Sequence, residues 1–61
     1  MSPMAYFRAF RLNVVRQDLK TAPDTATVRE IAERWGFWHP GEFAAAYRRL
    51  FGELPSRTLN G

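Results

Sequence analysis

The sequence predicts an all-α fold: one long helix, two short helices joined by a tight turn, and a final helical turn. Three observations point there. A capping pattern at Thr27-Val28-Arg29-Glu30 opens a short apolar-periodic stretch that stops at Gly36. Pro40 and Gly52 bracket a second such stretch. Nowhere does the chain show the strict apolar–polar alternation of a half-buried strand.

The first helix is expected from Ser2 to about Lys20. Ser2 can cap it, and Pro3 occupies the first position, where a missing N–H goes unneeded. Tyr6, Leu12, Val15 and Leu19 are read as one apolar stripe, and Phe7, Phe10 and Val14 as a second, offset around the helix. Two stripes imply contacts on two sides, of which so short a chain covers one.

Thr21 to Ala26 is a polar connection containing Pro23 and Asp24. The Thr27 hydroxyl is expected to accept from the Glu30 N–H, with the Glu30 carboxylate reaching back to the Thr27 N–H. Val28, Ile31, Ala32 and Trp35 then give an amphipathic helix over about 27–35. Gly36 ends it in the left-handed region. After a turn over 36–39, a helix over about 40–51 starts with Pro40 and turns Phe43, Ala46, Tyr47 and Leu50 inward, flanked by Phe51. Pro55 opens a short turn over 55–59. Trp35 is expected in the core and Trp38 under the turn.

Size and charge bound the function. With 61 residues and no cysteine, the chain holds one small domain without disulfide or thiolate metal site. A core of this size leaves about 3–5 kcal/mol of net stability, as expected of a marginal domain or a piece of something larger. Nine Lys+Arg against six Asp+Glu give a net charge of +3, which favours a polyanionic partner. No apolar run reaches the roughly 20 residues of a membrane span. The N-terminus lacks signal-peptide organisation, so a cytoplasmic location is expected. The acidic residues are scattered singly, and no phosphate loop or nucleophile–His pairing occurs, so no enzyme is expected. His39, the single histidine, cannot make a metal site alone. It is expected to cap the second short helix or to meet a phosphate there. No cofactor is expected.

Two short helices around a tight turn form the helix-turn-helix layout of homeodomain-like folds, whose second helix enters the major groove of DNA. At about 100° per residue from Phe43, the residues Gly41, Ala45 and Arg48 point away from the core, with Ala44 and Arg49 at the edges. Small residues let a helix seat deeply, and arginine clamps phosphate or reads guanine. The expected base-facing set is Pro40, Gly41, Ala44, Ala45 and Arg48; the expected phosphate set is Thr27, Arg29, His39 and Arg49.

Val28 to Phe37 (VREIAERWGF), Phe43, and Tyr47 to Ser56 (YRRLFGELPS) resemble the C-terminal signature of the AraC/XylS family of transcription regulators. Ser2 to Phe7 (SPMAYF) is similar to the start of that family's linker helix, and Trp38-His39 completes the Gly-Phe-Trp-His variant of the signature. The resemblance implies two helix-turn-helix subdomains joined by a long helix. Residues 1–21 would be that linker and 22–61 the second subdomain. It also implies that double-stranded DNA is the partner and that the first subdomain packs on Phe7, Phe10 and Val14. No small-molecule effector site is expected in this chain. Pro40, Gly41, Ala44 and Ala45 depart from members that carry Gln or Arg in the first turns of the second helix. Phosphate clamping and apolar contact are therefore expected to dominate, with sequence choice falling to the first subdomain or to DNA shape. A rival reading is a protein-interaction module that binds a partner helix through Phe7 and Phe10.

Overall fold

The computed structural model describes residues 2–61 and is all-helical, with four helices in the order α1 (Pro3–Thr21), α2 (Val28–Arg34), α3 (Pro40–Phe51) and α4 (Pro55–Asn60). Met1 lies outside the described residues.

Each helix starts and stops where its local chemistry dictates. The Ser2 side chain accepts from the Ala5 N–H at 3.1 Å, ahead of Pro3. The Thr27 hydroxyl accepts from the Glu30 N–H at 3.1 Å. The reciprocal half of the box differs from expectation: Thr27 Oγ1 donates to Glu30 Oε1 at 3.2 Å, so the carboxylate meets the hydroxyl and not the Thr27 N–H. At the far end of α2, Gly36 has φ +86. Its N–H donates to Glu33 O at 3.0 Å, and the Phe37 N–H donates to Ala32 O at 3.0 Å. This pair of bonds is a Schellman closure, and only glycine enters its left-handed position without a Cβ clash. Gly52, at φ +80, ends α3 by donating to Arg48 O at 2.8 Å. His39 precedes α3 but its side chain makes no capping hydrogen bond, so the expected cap is absent; Pro40 and the Glu42 carboxylate carry the first turn instead.

The core is a single cluster formed by Leu12, Val15 and Leu19 of α1, Ile31 and Ala32 of α2, and Phe43 and Tyr47 of α3. Trp35, Phe37, Phe51 and Leu59 pack half-buried against it. Helix α4 lies against α1, α2 and α3 alike, with Pro55 buried. The last segment is therefore a wall of the core, more than the loose turn its sequence suggests.

Three apolar positions depart from expectation. Tyr6 is 60% exposed. Six residues at about 100° each carry the chain about 240° round, so Tyr6 faces away from Leu12. Leu50 is 47% exposed because it borders the open cleft between α1 and α3. Trp38 is 65% exposed and does not tuck under the turn. Trp35 is in contact with the core, but its indole reaches the edge, where Nε1 donates to Asp18 Oδ2 at 2.6 Å.

Candidate nucleic-acid interface

Helix α3 is held by its apolar side. An aromatic ladder runs along it, with ring centroids 5.1 Å apart for Phe37–Phe43, 5.9 Å for Phe43–Tyr47 and 4.6 Å for Tyr47–Phe51. Tilted and edge-on pairs at such distances are favourable beyond the area they bury. Two arginines of α1 close the ladder: Arg11 sits 4.7 Å above Phe37, and Arg16 sits 5.0 Å above Phe51.

Two further links fasten the turn between α2 and α3 to α1. Arg11 Nη1 donates to Trp35 O at 3.3 Å. Asp18 receives the Trp35 indole N–H and stands 3.5 Å from Arg34 Nη1. Arg11 and Asp18 are two helical turns apart and so share one side of α1. Nothing local in the sequence singles out either charge. Their seven-residue spacing beside the Leu12–Val15–Leu19 stripe signals a shared side of the helix, but not what that side meets.

With its inner side anchored, α3 turns its other side to solvent. Pro40, Gly41, Ala45, Arg48 and Arg49 are all exposed, and Ala44 is half-buried at the edge. A Cβ added at Gly41 would meet nothing within 4 Å, so nothing in this chain requires glycine there. Among the described residues the ion pairs are Arg29–Glu33 and Arg34–Asp18. Arg48 and Arg49 enter neither, and their guanidinium groups are open to an outside anion.

The four expected phosphate residues differ in circumstance. Arg49 and His39 are exposed with no hydrogen bond from their side chains to the described residues. Arg29 is exposed, but its Nε is 3.2 Å from Glu33 Oε2 within the same helix, so it already has an intrahelical partner. The Thr27 hydroxyl is committed to Glu30 on both sides, as acceptor and donor. The structure thus brings Gly41, Ala45, Arg48 and Arg49 together on one helix side, with Thr27 and Arg29 on the neighbouring α2.

On α1, Phe7 and Phe10 are exposed and Val14 is half-buried. Tyr6 meets Phe7 edge-on at 5.9 Å. Around the helix from them, Met4, Arg8, Trp38 and Leu50 border an open cleft of about 620 Å³. Among the described residues no group of acidic, His or Cys side chains is placed to hold a metal, and no helix is long and apolar enough to cross a membrane.

Comparison with known proteins gives this arrangement its relatives. The family model described as a helix-turn-helix domain matches residues 1–61. The chain is 44% identical over 59 residues to the probable thc operon regulatory protein of Rhodococcus erythropolis, covering 95% of this chain and 18% of that protein. It is 43% identical over 60 residues to XylDLEGF operon transcriptional activator 2 of Pseudomonas putida, covering 97% of this chain and 38% of the relative. Regulatory protein HrpB of Ralstonia nicotianae is 33% identical over 60 residues, 13% of its own length. The chain therefore spans well under half of each of these relatives. No solved structure matches it significantly. These matches cover essentially the whole sequence: the chain belongs to the AraC/XylS-type helix-turn-helix family of DNA-binding transcription regulators.

Proposed function

We propose that the chain binds double-stranded DNA by inserting α3 into the major groove, with phosphate clamping as the larger share of the affinity. One observation carries this reading: the side of α3 from Gly41 through Ala45 to Arg48 and Arg49 is uncovered, small at its start and cationic at its end. Pro40, Gly41, Ala44, Ala45 and Arg48 face the bases. Arg49 and His39, with Thr27 and Arg29 of α2, face phosphates. Glycine at position 41 lets the backbone approach the groove floor, and the Ala44 and Ala45 methyls suit thymine methyls. Arg48 alone among the base-facing residues brings long-range hydrogen-bonding reach. Discrimination between sequences is therefore slight in this chain, and falls to shape or to a second reader.

Residues 2–21 act as a linker helix and 22–61 as the second helix-turn-helix of a longer cytoplasmic regulator, a length in keeping with relatives of which the chain spans 18% and 38%. The apolar stripe of Phe7, Phe10 and Val14 is then the seat of the preceding subdomain. A second reading, a module that binds a partner helix by the same stripe without DNA, is favoured by the exposure of Phe7 and Phe10. The readings separate in one titration. Labelled duplex is titrated with the chain at several salt concentrations. Log affinity is expected to fall with log salt more steeply than one phosphate contact requires, and Arg48→Ala and Arg49→Ala should each remove about one contact from the slope. A flat dependence overturns the DNA reading and leaves the helical module.

A further inference from the structure

We infer that Arg57 of α4 makes a phosphodiester-binding site on the flank of the α3 face, next to the base-facing Arg48, extending the DNA-binding reading above and resting on it. Nothing in the sequence pattern singles out Arg57. The structure places it on the rim of an open concavity of about 640 Å³ that Arg48, Gly52, Ser56 and Asn60 also border. The reason is the chain reversal at Gly52. Its left-handed backbone ends α3, and α4 begins three residues later, placed so that Thr58 meets Tyr47 and Arg57 shares a rim with Arg48.

The position of α4 is fixed from within. Tyr47 Oη donates to Thr58 Oγ1 at 2.7 Å, Thr58 in turn donates to Glu53, and Leu59 packs on the core. Arg57 is the chain neighbour of Thr58, so its backbone is held while its side chain is exposed. Glu53 is the one carboxylate on the rim, and it is already engaged by the Thr58 hydroxyl. Neither Arg48 nor Arg57 takes part in an ion pair among the described residues.

The rest of the face explains why the site belongs on this flank. On the side of α3 toward α1, Glu42 lies two helical turns before Arg49 and shares its edge, so that flank carries both signs of charge. On the side toward α4, Leu54 and Ser56 also border a second, apolar concavity of about 400 Å³ that continues to Ala44 and Pro40. The two hollows adjoin along α3, and the arginine pair stands at the end of the trough nearest the C-terminus. The Arg57 guanidinium fork and the Ser56 hydroxyl offer the planar, multidentate donor set that suits the two free oxygens of a phosphodiester.

The test uses the whole chain with labelled duplex across a salt series, comparing wild type with Arg57→Gln, Arg57→Lys and Arg49→Ala. Each phosphate contact contributes about 0.9 to the slope of log affinity against log salt on B-DNA. Arg57→Gln is expected to lower the slope by about that amount, and Arg57→Lys to keep it, since lysine preserves the charge without the fork. Circular dichroism and thermal melting of all variants should match wild type, because Arg57 is exposed. Methylphosphonate linkages at the contacted phosphates should erase the difference between wild type and Arg57→Gln. If Arg49→Ala lowers the slope while Arg57→Gln, still folded, does not, the site is wrong and the α3 reading stands. If wild type itself shows no salt dependence, the DNA reading fails and takes this site with it.

Discussion

The indole Nε1 of Trp35 donates to Asp18 Oδ2 at 2.6 Å, a contact between the last residue before the turn and a helix side seventeen residues upstream. Asp18 also stands 3.5 Å from Arg34, so one carboxylate answers two groups at the end of α2. The Arg34 pair is largely solvated and contributes at most about 1 kcal/mol; the part-buried indole bond to a charged acceptor contributes more. Asp18→Ala is expected to destabilise the fold by about 1 to 2 kcal/mol, and Asp18→Asn, which keeps an acceptor, by less. Urea unfolding of both variants, followed by Trp emission in a Trp38→Phe background, measures the difference. Equal stability of Asp18→Ala and wild type would remove the link from the account.

Gly36 and Gly52 share a left-handed backbone but not their surroundings. A Cβ at Gly36 would stand 3.0 Å from Arg11 Nη1, whereas one at Gly52 would meet nothing within 4 Å. Alanine at either site takes the backbone strain of about 1–2 kcal/mol. At Gly36 the Arg11 guanidinium must also give way by a few tenths of an ångström, which weakens its bond to Trp35 O. Gly36→Ala should therefore melt at a lower temperature than Gly52→Ala, and Arg11→Ala should reduce that gap. The thermal midpoints of the three variants and the Arg11→Ala/Gly36→Ala double variant decide it.

What was legible beforehand divides along the same line. Caps and stops are local, so Thr27, Gly36, Pro40 and Gly52 mark four helix ends within a few residues of sequence. The exposed side of α3 was legible too, because one turn angle and the anchor Phe43 place Gly41, Ala45 and Arg48. The role of α4 was not, since Tyr47 meets Thr58 only after the reversal at Gly52. Arg11 and Asp18 were missed because a charge on a helix gives no local sign of whether solvent or a distant turn answers it. Tyr6 was placed on the wrong stripe by an error of phase that the helix angle alone corrects.

Tyr47 gives the fold an alkaline limit. Burial raises its phenol pKa above the ordinary value; the Arg16 charge pulls the other way, and Glu53 adds to the rise. A raised folded pKa means the folded state holds the proton more tightly than the unfolded one. That stabilisation is complete below the unfolded pKa of about 10 and is lost as pH rises through the folded value. Tyr47→Phe removes the dependence together with the bond to Thr58. It should be less stable near neutral pH by about 1 kcal/mol, yet lose less stability than wild type between neutral pH and pH 11. Parallel curves for the two proteins across that range would contradict the assignment.

Phe7 and Phe10 should be silent in this chain by itself. Both are exposed, so Phe7→Ser and Phe10→Ser should change its stability little, within about 0.5 kcal/mol. If the stripe seats the preceding subdomain, the same changes should weaken association with that subdomain supplied separately, without altering the salt slope of this chain on duplex. Loss of the slope instead would place these rings in the nucleic-acid interface.

Gly41 separates stability from function by sign. Glycine inside a helix is less stable than alanine by about 0.5–1 kcal/mol, and open space surrounds its missing Cβ, so packing within the chain gives no return for it. Gly41→Ala should therefore raise the melting temperature. If close approach to the groove floor is what glycine serves, the same variant should bind duplex more weakly, and Gly41→Leu more weakly still, with the salt slope unchanged because no charge is touched. Calorimetry and duplex titration on the same preparations test both signs. A variant that is stabilised and binds as well as wild type would show that α3 does not seat on DNA by this turn, and the contact would have to shift toward Arg48 and the C-terminal flank.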